Sequence, residues 1–147
     1  MEPQEIKEKE ILEQSKTIAI VGLSPNKEKA SSIVAKYLIA SGYRIIPVNP
    51  GYDEILGQKS YKSLSDITEK IDIVDIFIRS EKVLPIVQEA IKLKPRAIWL
   101  QLGIINEEAK KLVEDKGITF FMNVCIKQEH EKLFNKNQIN DQLTKHQ

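Results

Sequence analysis

The sequence has 147 residues with 41% hydrophobic and 29% charged side chains, which is typical of one globular domain with a substantial core. Its formal net charge of +1 gives no long-range field that would attract nucleic acid or an anionic membrane. The single cysteine excludes an internal disulfide and a cysteine-cluster metal site, so we expect neither disulfides nor a bound metal.

Residues 1–15 are predicted to form an N-terminal helix that precedes the domain. Glu5–Gln14 carries Ile6, Ile11 and Leu12 at a spacing typical of a short amphipathic helix. The first residues are charged throughout, unlike a signal peptide. No apolar run approaches the roughly 20 residues that a membrane-spanning helix needs. We therefore expect a cytoplasmic protein without a membrane partner.

The most informative segment is Thr17–Asn26, which reads TIAIVGLSPN. A short apolar strand stops at Gly22, the chain turns through small and polar residues, and an apolar helical pattern follows. Strand, glycine turn and helix in this order direct backbone N–H groups toward a phosphate. The turn keeps only the first glycine of G-x-G-x-x-G, with Ser24 at the second position, so this motif alone is weak.

Four more apolar strands alternate with helices along the rest of the chain. The predicted strands are Arg44–Val48, Ile73–Ile78, Ala97–Leu100 and Thr119–Met122. The predicted helices are Ser65–Glu69 capped by Ser65, Leu84–Leu93, one capped by Asn106 and closed by Gly117, and Ile126–Phe134.

The strand residues are almost continuously apolar, as in parallel strands that are covered on both faces. Residues 16–134 are therefore predicted to form a single α/β domain, a Rossmann-like doubly wound fold with a mainly parallel five-stranded sheet. Residues 135–147 are rich in Asn, Gln and Lys, and we expect a polar, flexible tail.

Ligands of doubly wound sheets bind beyond the carboxyl ends of the strands, where the strand order reverses. The residues at those positions are small, polar or cationic, and they include neither an evident general base nor a pair of carboxylates. The sequence therefore predicts binding and assigns no catalytic residue. These residues are Gly22–Lys27, Asn49–Tyr52, Arg79–Ser80, Gln101–Gly103 and Asn123–Cys125.

The end of the second strand argues against a dehydrogenase. A nicotinamide-binding Rossmann domain usually places Asp or Glu there to hold the adenosine ribose, whereas this chain has Asn49 and no carboxylate before Asp53. An NAD(P)-dependent oxidoreductase or another nucleotide-using enzyme remains the alternative. A protein-interaction domain with a degenerate nucleotide pocket is the third interpretation.

Four runs together resemble the CoA-binding domain family, whose small stand-alone members are similar to the N-terminal domain of the succinyl-CoA synthetase alpha subunit. The resemblance extends from about Thr17 to Leu133 and implies a Rossmann-like fold with coenzyme A as ligand. The runs are Val21–Ser24 (VGLS), Gly42–Pro50 (GYRIIPVNP), Trp99–Ile104 (WLQLGI) and Cys125–His130 (CIKQEH).

The resemblance also implies which residues contact coenzyme A or an acyl-CoA. They are Gly22, Ser24, Pro25, Asn26 and Lys27 after the first strand, Asn49, Pro50 and Tyr52 after the second, and Leu100, Gln101 and Leu102 after the fourth.

This chain departs from the synthetase in two ways. The synthetase has a lysine where this chain has Tyr52, so Lys27, Lys29 or Arg79 would have to supply that charge to a phosphate. The chain is also too short for the synthetase's phosphohistidine domain and partner subunit, so ligase activity is not carried over. A homo-oligomer or a partner enzyme stays open.

Three side chains have simpler interpretations that the structure can test. Arg79 would form an ion pair with Glu81 or Asp75 if it does not contact ligand. His130 has no neighbouring nucleophile in sequence, and we expect a structural role in which it pairs with a nearby carboxylate. We also expect that Gly22→Val abolishes coenzyme binding and leaves the fold intact.

Overall fold

The computed structural model describes residues 1–135, and the rest of the predicted tail lies outside the described residues. The α-helices are α1 (Pro3–Gln14), α2 (Ala30–Ala40), α3 (Val83–Lys92), α4 (Glu107–Asp115) and α5 (Ile126–His130). The strands are β1 (Thr17–Val21), β2 (Arg44–Val48), β3 (Glu54–Ile55), β4 (Gln58–Lys59), β5 (Ile73–Ile76), β6 (Ala97–Leu100) and β7 (Thr119–Phe121). Short 3₁₀ turns cover Leu64–Asp66 and Ser80–Lys82, and a π-helical turn at Glu131–Asn135 follows α5.

Within the described residues, five strands form one parallel sheet in the order β2-β1-β5-β6-β7, and β3 and β4 form a small antiparallel hairpin. Ile18 of β1 is paired with Ile45 on one side and with Ile73 on the other. This confirms the predicted Rossmann-like α/β fold. The strand order reverses between β1 and β5, so the ligand crevice of such a sheet is expected at the carboxyl ends of these two strands.

Helices cover both faces of the sheet, which explains why its strands are continuously apolar. Ile18, Ile20 and Trp99 pack in the core beneath α1, α2 and α5. Their neighbours Ala19 and Ile98 pack in the opposite core beneath α3 and α4. The alternation of side chains along each strand thus fills two separate cores.

The predicted helix Ser65–Glu69 is wrong. A 3₁₀ turn forms at Leu64–Asp66 instead, and Ser63 precedes it. The Ser65 backbone N–H and hydroxyl both donate to Glu89 Oε1 of α3, at 2.9 and 2.8 Å. Ser65 therefore binds a distant carboxylate, and this tertiary contact takes the place of the predicted cap.

Other element ends shift by a few residues. The strand predicted over Ile73–Ile78 ends at Ile76, and the one predicted over Thr119–Met122 ends at Phe121. The last helix is α-helical only to His130, where a π-helical turn begins. Among the described residues, no helix is long and apolar enough to cross a membrane.

The amino edge of the sheet, where the strands begin, is closed by Asp72. Its Oδ2 accepts backbone N–H groups of Lys16 and Thr17 at 2.8 and 3.1 Å, and its Oδ1 lies 3.6 Å from Nε of Arg96. Burial acts to raise the pKa of Asp72, but these two hydrogen bonds and the Arg96 charge lower it below its ordinary value. The carboxylate is therefore fully used in holding the strands together.

Candidate functional site

The carboxyl ends of β1 and β5 meet at Gly22. Its φ is +84°, its N–H donates to the Val48 carbonyl at 2.9 Å, and an added Cβ would lie 2.6 Å from the Phe77 carbonyl oxygen. Only glycine fits such a close backbone approach. The expectation that Gly22→Val leaves the fold intact is therefore wrong, because the new side chain would collide with the backbone after β5.

The β1–α2 loop is ordered by bonds between its side chains and its backbone. The Ser24 N–H donates to Ser31 Oγ at 2.9 Å, the Asn26 N–H to Ser24 Oγ at 3.1 Å, and the Glu28 N–H to Asn26 Oδ1 at 3.0 Å. Ser31 thus holds the loop against α2 and does not cap the helix. The exposed residues of this loop include Pro25, Lys27 and Lys29.

Helix α2 begins beside this crevice without a side-chain cap. Lys29 is its N-cap residue and makes no capping hydrogen bond through its side chain. The first N–H groups of a helix have no partner inside the helix, and they carry its positive partial charge. Ser32, in the first turn, is fully buried, and its hydroxyl has no hydrogen-bond partner among the described residues. This helix end can accept an anion.

Asn49 fixes the turn after β2 against the turn after β1. Its Nδ2 donates to the Leu23 carbonyl at 3.0 Å, and its Oδ1 accepts the Gly51 N–H at 2.9 Å. Pro50 is exposed beside it. Tyr52 is 47% exposed and lies outside the two clefts described below.

Two clefts open at the carboxyl edge of the sheet, one on each face. The α3 cleft, on the side of α3, has a volume of about 540 Å³, and the α2 cleft, on the side of α2 and α5, has a volume of about 610 Å³. Phe77 and Ile78 line both and separate them. The α3 cleft is lined by residues that include Gly22, Asn49, Pro50, Lys62, Ile86 and Glu89. The α2 cleft is lined by residues that include Val34, Arg79, Gln101, Leu102, Cys125 and Gln128.

A buried polar pair lies at the α2 cleft. Gln101 is 3% exposed, and its Nε2 donates to Oδ1 of the fully buried Asp75 at 2.6 Å. Burial raises the pKa of Asp75 to about 8, against the smaller opposite effect of the Gln101 hydrogen bond. Sequence reasoning considered Asp75 only as an ion-pair partner for Arg79. The available signal was its position, a lone carboxyl inside the apolar strand Ile73–Ile76.

The remaining predicted contact residues lie in different environments. Arg79 is on the exposed rim of the α2 cleft with its Nε 3.7 Å from Oε1 of Glu81, so its ion-pair partner is Glu81 and not Asp75. Leu102 is 63% exposed, whereas the side chain of Leu100 is fully buried in the core beneath α3 and α4. Leu100 therefore presents only backbone to this edge.

His130 lies away from both clefts. Its Nδ1 lies 2.7 Å from the Tyr37 hydroxyl, and its ring stacks on Phe134 at a centroid distance of 4.4 Å. The expected hydrogen bond to a carboxylate is absent among the described residues. Burial lowers the pKa of His130, against a weaker opposite effect of the Glu131 charge. Residues 1–135 hold no group of three or more His, Cys, Asp or Glu side chains that could bind a metal ion.

Comparison with known proteins gives relatives of two kinds. The chain is 44% identical over 128 residues to "Uncharacterized protein YneT" of Bacillus subtilis, a match that covers 87% of this chain and 95% of the relative. It also superimposes on the solved structure of a hypothetical protein from Pyrococcus horikoshii with a TM-score of 0.85 and 41% identity, covering 88% of this chain and 91% of that one.

The second kind of relative is a much larger enzyme. The chain is 36% identical over 74 residues to an ADP-forming acetate–CoA ligase of Methanocaldococcus jannaschii. That match covers 50% of this chain and 10% of the ligase, so it concerns one small region of the enzyme. Residues 16–131 match the family described as CoA binding domain. Because that match spans most of the chain, this protein belongs to the CoA binding domain family.

Proposed function

We propose that this protein binds coenzyme A or an acyl-CoA noncovalently in the crevice between β1 and β5. The observation that carries the proposal is the backbone at Gly22, which turns at a φ of +84° beside the uncapped start of α2. The N–H groups in the first turn of α2, which have no partner inside the helix, are suited to a diphosphate. Membership of the CoA binding domain family supports the choice of coenzyme A over other diphosphates.

In this proposal the diphosphate lies against the first turn of α2, and the loop after Gly22 is held in place by its own hydrogen bonds. The N-terminal end of a helix stabilises an anion through its N–H groups and its partial positive charge. Lys27 and Lys29 are exposed in the same loop, and Arg79 stands at the rim of the α2 cleft. These cations would offset the remaining phosphate charge. They would have to do so locally, because the overall charge of the chain is only +1.

The two clefts suit the two ends of the coenzyme. The α3 cleft, with Asn49 and Pro50 at its mouth and Ile86 inside, would hold the adenosine. Asn49 is held in place by its bonds to Leu23 and Gly51, and it carries no carboxylate of the kind that binds the ribose in an NAD site. The α2 cleft, lined by Gln101 and Leu102, would hold the pantetheine arm.

The biological role is proposed from the size of the ligase relative. The ligase relative carries its similar region within a much larger chain, and this chain corresponds to 10% of that enzyme. We propose that the present protein acts as a carrier, a sensor or a partner of another enzyme, and not as a ligase on its own. Its cytoplasmic location is part of this proposal.

Calorimetry with CoA, NAD and NADP in parallel tests the proposed function. We expect binding heat with CoA and none with NAD or NADP. In native mass spectrometry, freshly purified protein should retain an adduct of the mass of CoA. Heat with NADP and none with CoA would favour an oxidoreductase. No heat with any of the three, together with a copurifying protein, would favour an interaction domain.

A paired-lysine variant sharpens this test. Lys27→Ala with Lys29→Ala should weaken CoA binding about tenfold and reduce its salt dependence, because two cations leave the phosphate site. The matched control is Lys92→Ala with Lys116→Ala, since both lysines lie at the ends of α3 and α4, on the opposite edge of the sheet. Equal weakening in the two variants would argue against a phosphate site at the start of α2.

A further inference from the structure

The α2 cleft contains a buried carboxamide that is held by a buried carboxyl. Gln101, at the end of β6, lines the cleft, and its Nε2 donates to Asp75 Oδ1 at 2.6 Å. Asp75 is in β5, where its sheet neighbours are Ile20 of β1 and Trp99 of β6. Both neighbours are fully buried apolar side chains, so Asp75 stands in a hydrophobic surrounding.

This placement is costly for folding. Asp75 Oδ2 is buried and has no hydrogen-bond partner among the described residues. A buried polar atom without a partner costs about 1–3 kcal/mol, and an apolar side chain of similar size would avoid that cost. The hydrogen bond to Gln101 is therefore what a carboxyl at this position provides and an apolar residue would not.

The Gln101 carboxamide keeps hydrogen-bonding capacity for a ligand. Its Nε2 carries a second N–H, and its Oε1 is an acceptor, whereas the backbone N–H and carbonyl of Gln101 already bond to Ile76 and Ile104 at 3.3 and 2.9 Å. A carboxamide fixed at one N–H can pair with an amide through its remaining groups. The nearby Val34 and Phe77 side chains are suited to methylene groups on either side of such an amide.

We propose that Asp75 is a positioning residue that orients the Gln101 carboxamide to recognise an amide group of the pantetheine arm in the α2 cleft. The inference rests on the proposed function, because it names the part of coenzyme A that this cleft reads. The charged side chains of the cleft, Arg79 and Glu81, pair with each other at its exposed rim. An amide of the ligand deeper in the cleft would therefore meet Gln101.

The test compares two ligands by calorimetry on the full chain. CoA carries the pantetheine arm, and adenosine 3′,5′-bisphosphate carries the nucleotide without it. Gln101→Leu and Asp75→Val should each weaken CoA binding about tenfold, the loss of one hydrogen bond of about 1.4 kcal/mol, and leave the bisphosphate affinity unchanged. Asp75→Asn keeps an acceptor oxygen for Gln101 and should retain the wild-type CoA affinity.

A double variant separates positioning from direct contact. Asp75→Val combined with Gln101→Leu should bind CoA no more weakly than Gln101→Leu alone, because Asp75 acts through Gln101. Additive losses would overturn the inference, and so would equal losses for CoA and the bisphosphate in either single variant. Where Asp75→Val does not fold, Gln101→Leu still tests the contact with the pantetheine arm, and a loss of CoA affinity in Asp75→Asn as large as that in Gln101→Leu would overturn the positioning role.

Failure of the inference differs from failure of the proposed function. Wild-type protein that binds the bisphosphate and CoA, with a Gln101→Leu variant that binds CoA as tightly, would overturn the inference alone. Wild-type protein that binds neither ligand would overturn the proposed function and the inference with it.

Discussion

An aspartate lies at each edge of the sheet, and the two aspartates have opposite roles. Asp72 at the amino edge accepts two backbone N–H groups and faces Arg96, and its pKa is lowered. Asp75, three residues later, has Gln101 as its hydrogen-bond partner and one buried oxygen without a partner among residues 1–135, and burial raises its pKa to about 8. The satisfied carboxylate stabilises the fold, whereas the unsatisfied one lies where a ligand is proposed.

Gly22 at the carboxyl edge also differs from the glycines of the amino edge. Gly42 and Gly117 follow helices at the amino edge with φ of +102° and +74°, and an added Cβ at either position would meet open space. Gly22 at the carboxyl edge has a φ of +84° and touches the backbone after β5. Gly42 and Gly117 thus end helices, while Gly22 lets two strand ends approach.

The largest predicted effect on stability tests this contrast between glycines. Gly22→Ala should destabilise the fold by about 4 kcal/mol, because left-handed backbone strain is combined with a collision between Cβ and the Phe77 carbonyl. Gly117→Ala carries only the strain and should cost about 1 kcal/mol. Urea unfolding of both variants measures the difference. Equal losses would mean that the close approach at Gly22 has no energetic consequence.

Asp72→Ala tests the amino edge. The backbone N–H groups of Lys16 and Thr17 lose their charged acceptor, and we expect a loss of about 2 kcal/mol in the free energy of unfolding. Asp72→Asn retains an acceptor oxygen and should lose less. If the alanine variant unfolds at the wild-type urea concentration, Asp72 does not close this edge.

The sequence predicted the fold well because the signal is local. Five apolar strands, helical periodicity between them and the glycine after β1 are each readable within about ten residues, and together they fix a parallel sheet. The helix predicted at Ser65 failed because the Ser65 hydroxyl binds Glu89, which lies 24 residues away. No local sequence pattern predicts such a contact.

The candidate site was predicted less completely, for the same reason. The strand-end rule selected Gly22, Asn49 and Gln101, and the structure places all three along the two clefts. It could not reveal that Asp75 lies beside Gln101, because that contact depends on the pairing of β5 with β6. Tyr52 was selected by the same rule and by the family resemblance, and it is outside both clefts.

The opposite pKa shifts of the two aspartates predict opposite pH dependences. The stabilising effect of Asp72 is present above about pH 4, the pKa of an unfolded aspartate, and is lost as the pH falls through its lowered folded pKa. The contribution of Asp75 is complete below about pH 4 and is lost as the pH rises to about 8. Urea unfolding across this range measures both.

Asp75→Asn isolates the carboxyl-edge contribution. The asparagine does not ionise, so between pH 5 and 8 the wild type should lose about 1 kcal/mol per pH unit relative to the variant. The pH above which that relative loss levels off reports the folded pKa of Asp75. Parallel stability curves for the two proteins would contradict a raised pKa, and the contrast between the two edges would then reduce to burial alone.

The smallest predicted effect concerns an ion pair at the amino edge. Arg44 begins β2, and its Nε and Nη2 donate to the two Glu69 carboxylate oxygens at 2.7 and 2.9 Å. Their side chains are 55% and 37% exposed, so solvent screens the pair despite its good geometry. Arg44→Ala should therefore change the free energy of unfolding by less than about 1 kcal/mol. A loss as large as that of Asp72→Ala would show that the amino edge depends on exposed charge as much as on the buried carboxylate, and burial would no longer explain why Asp72 dominates there.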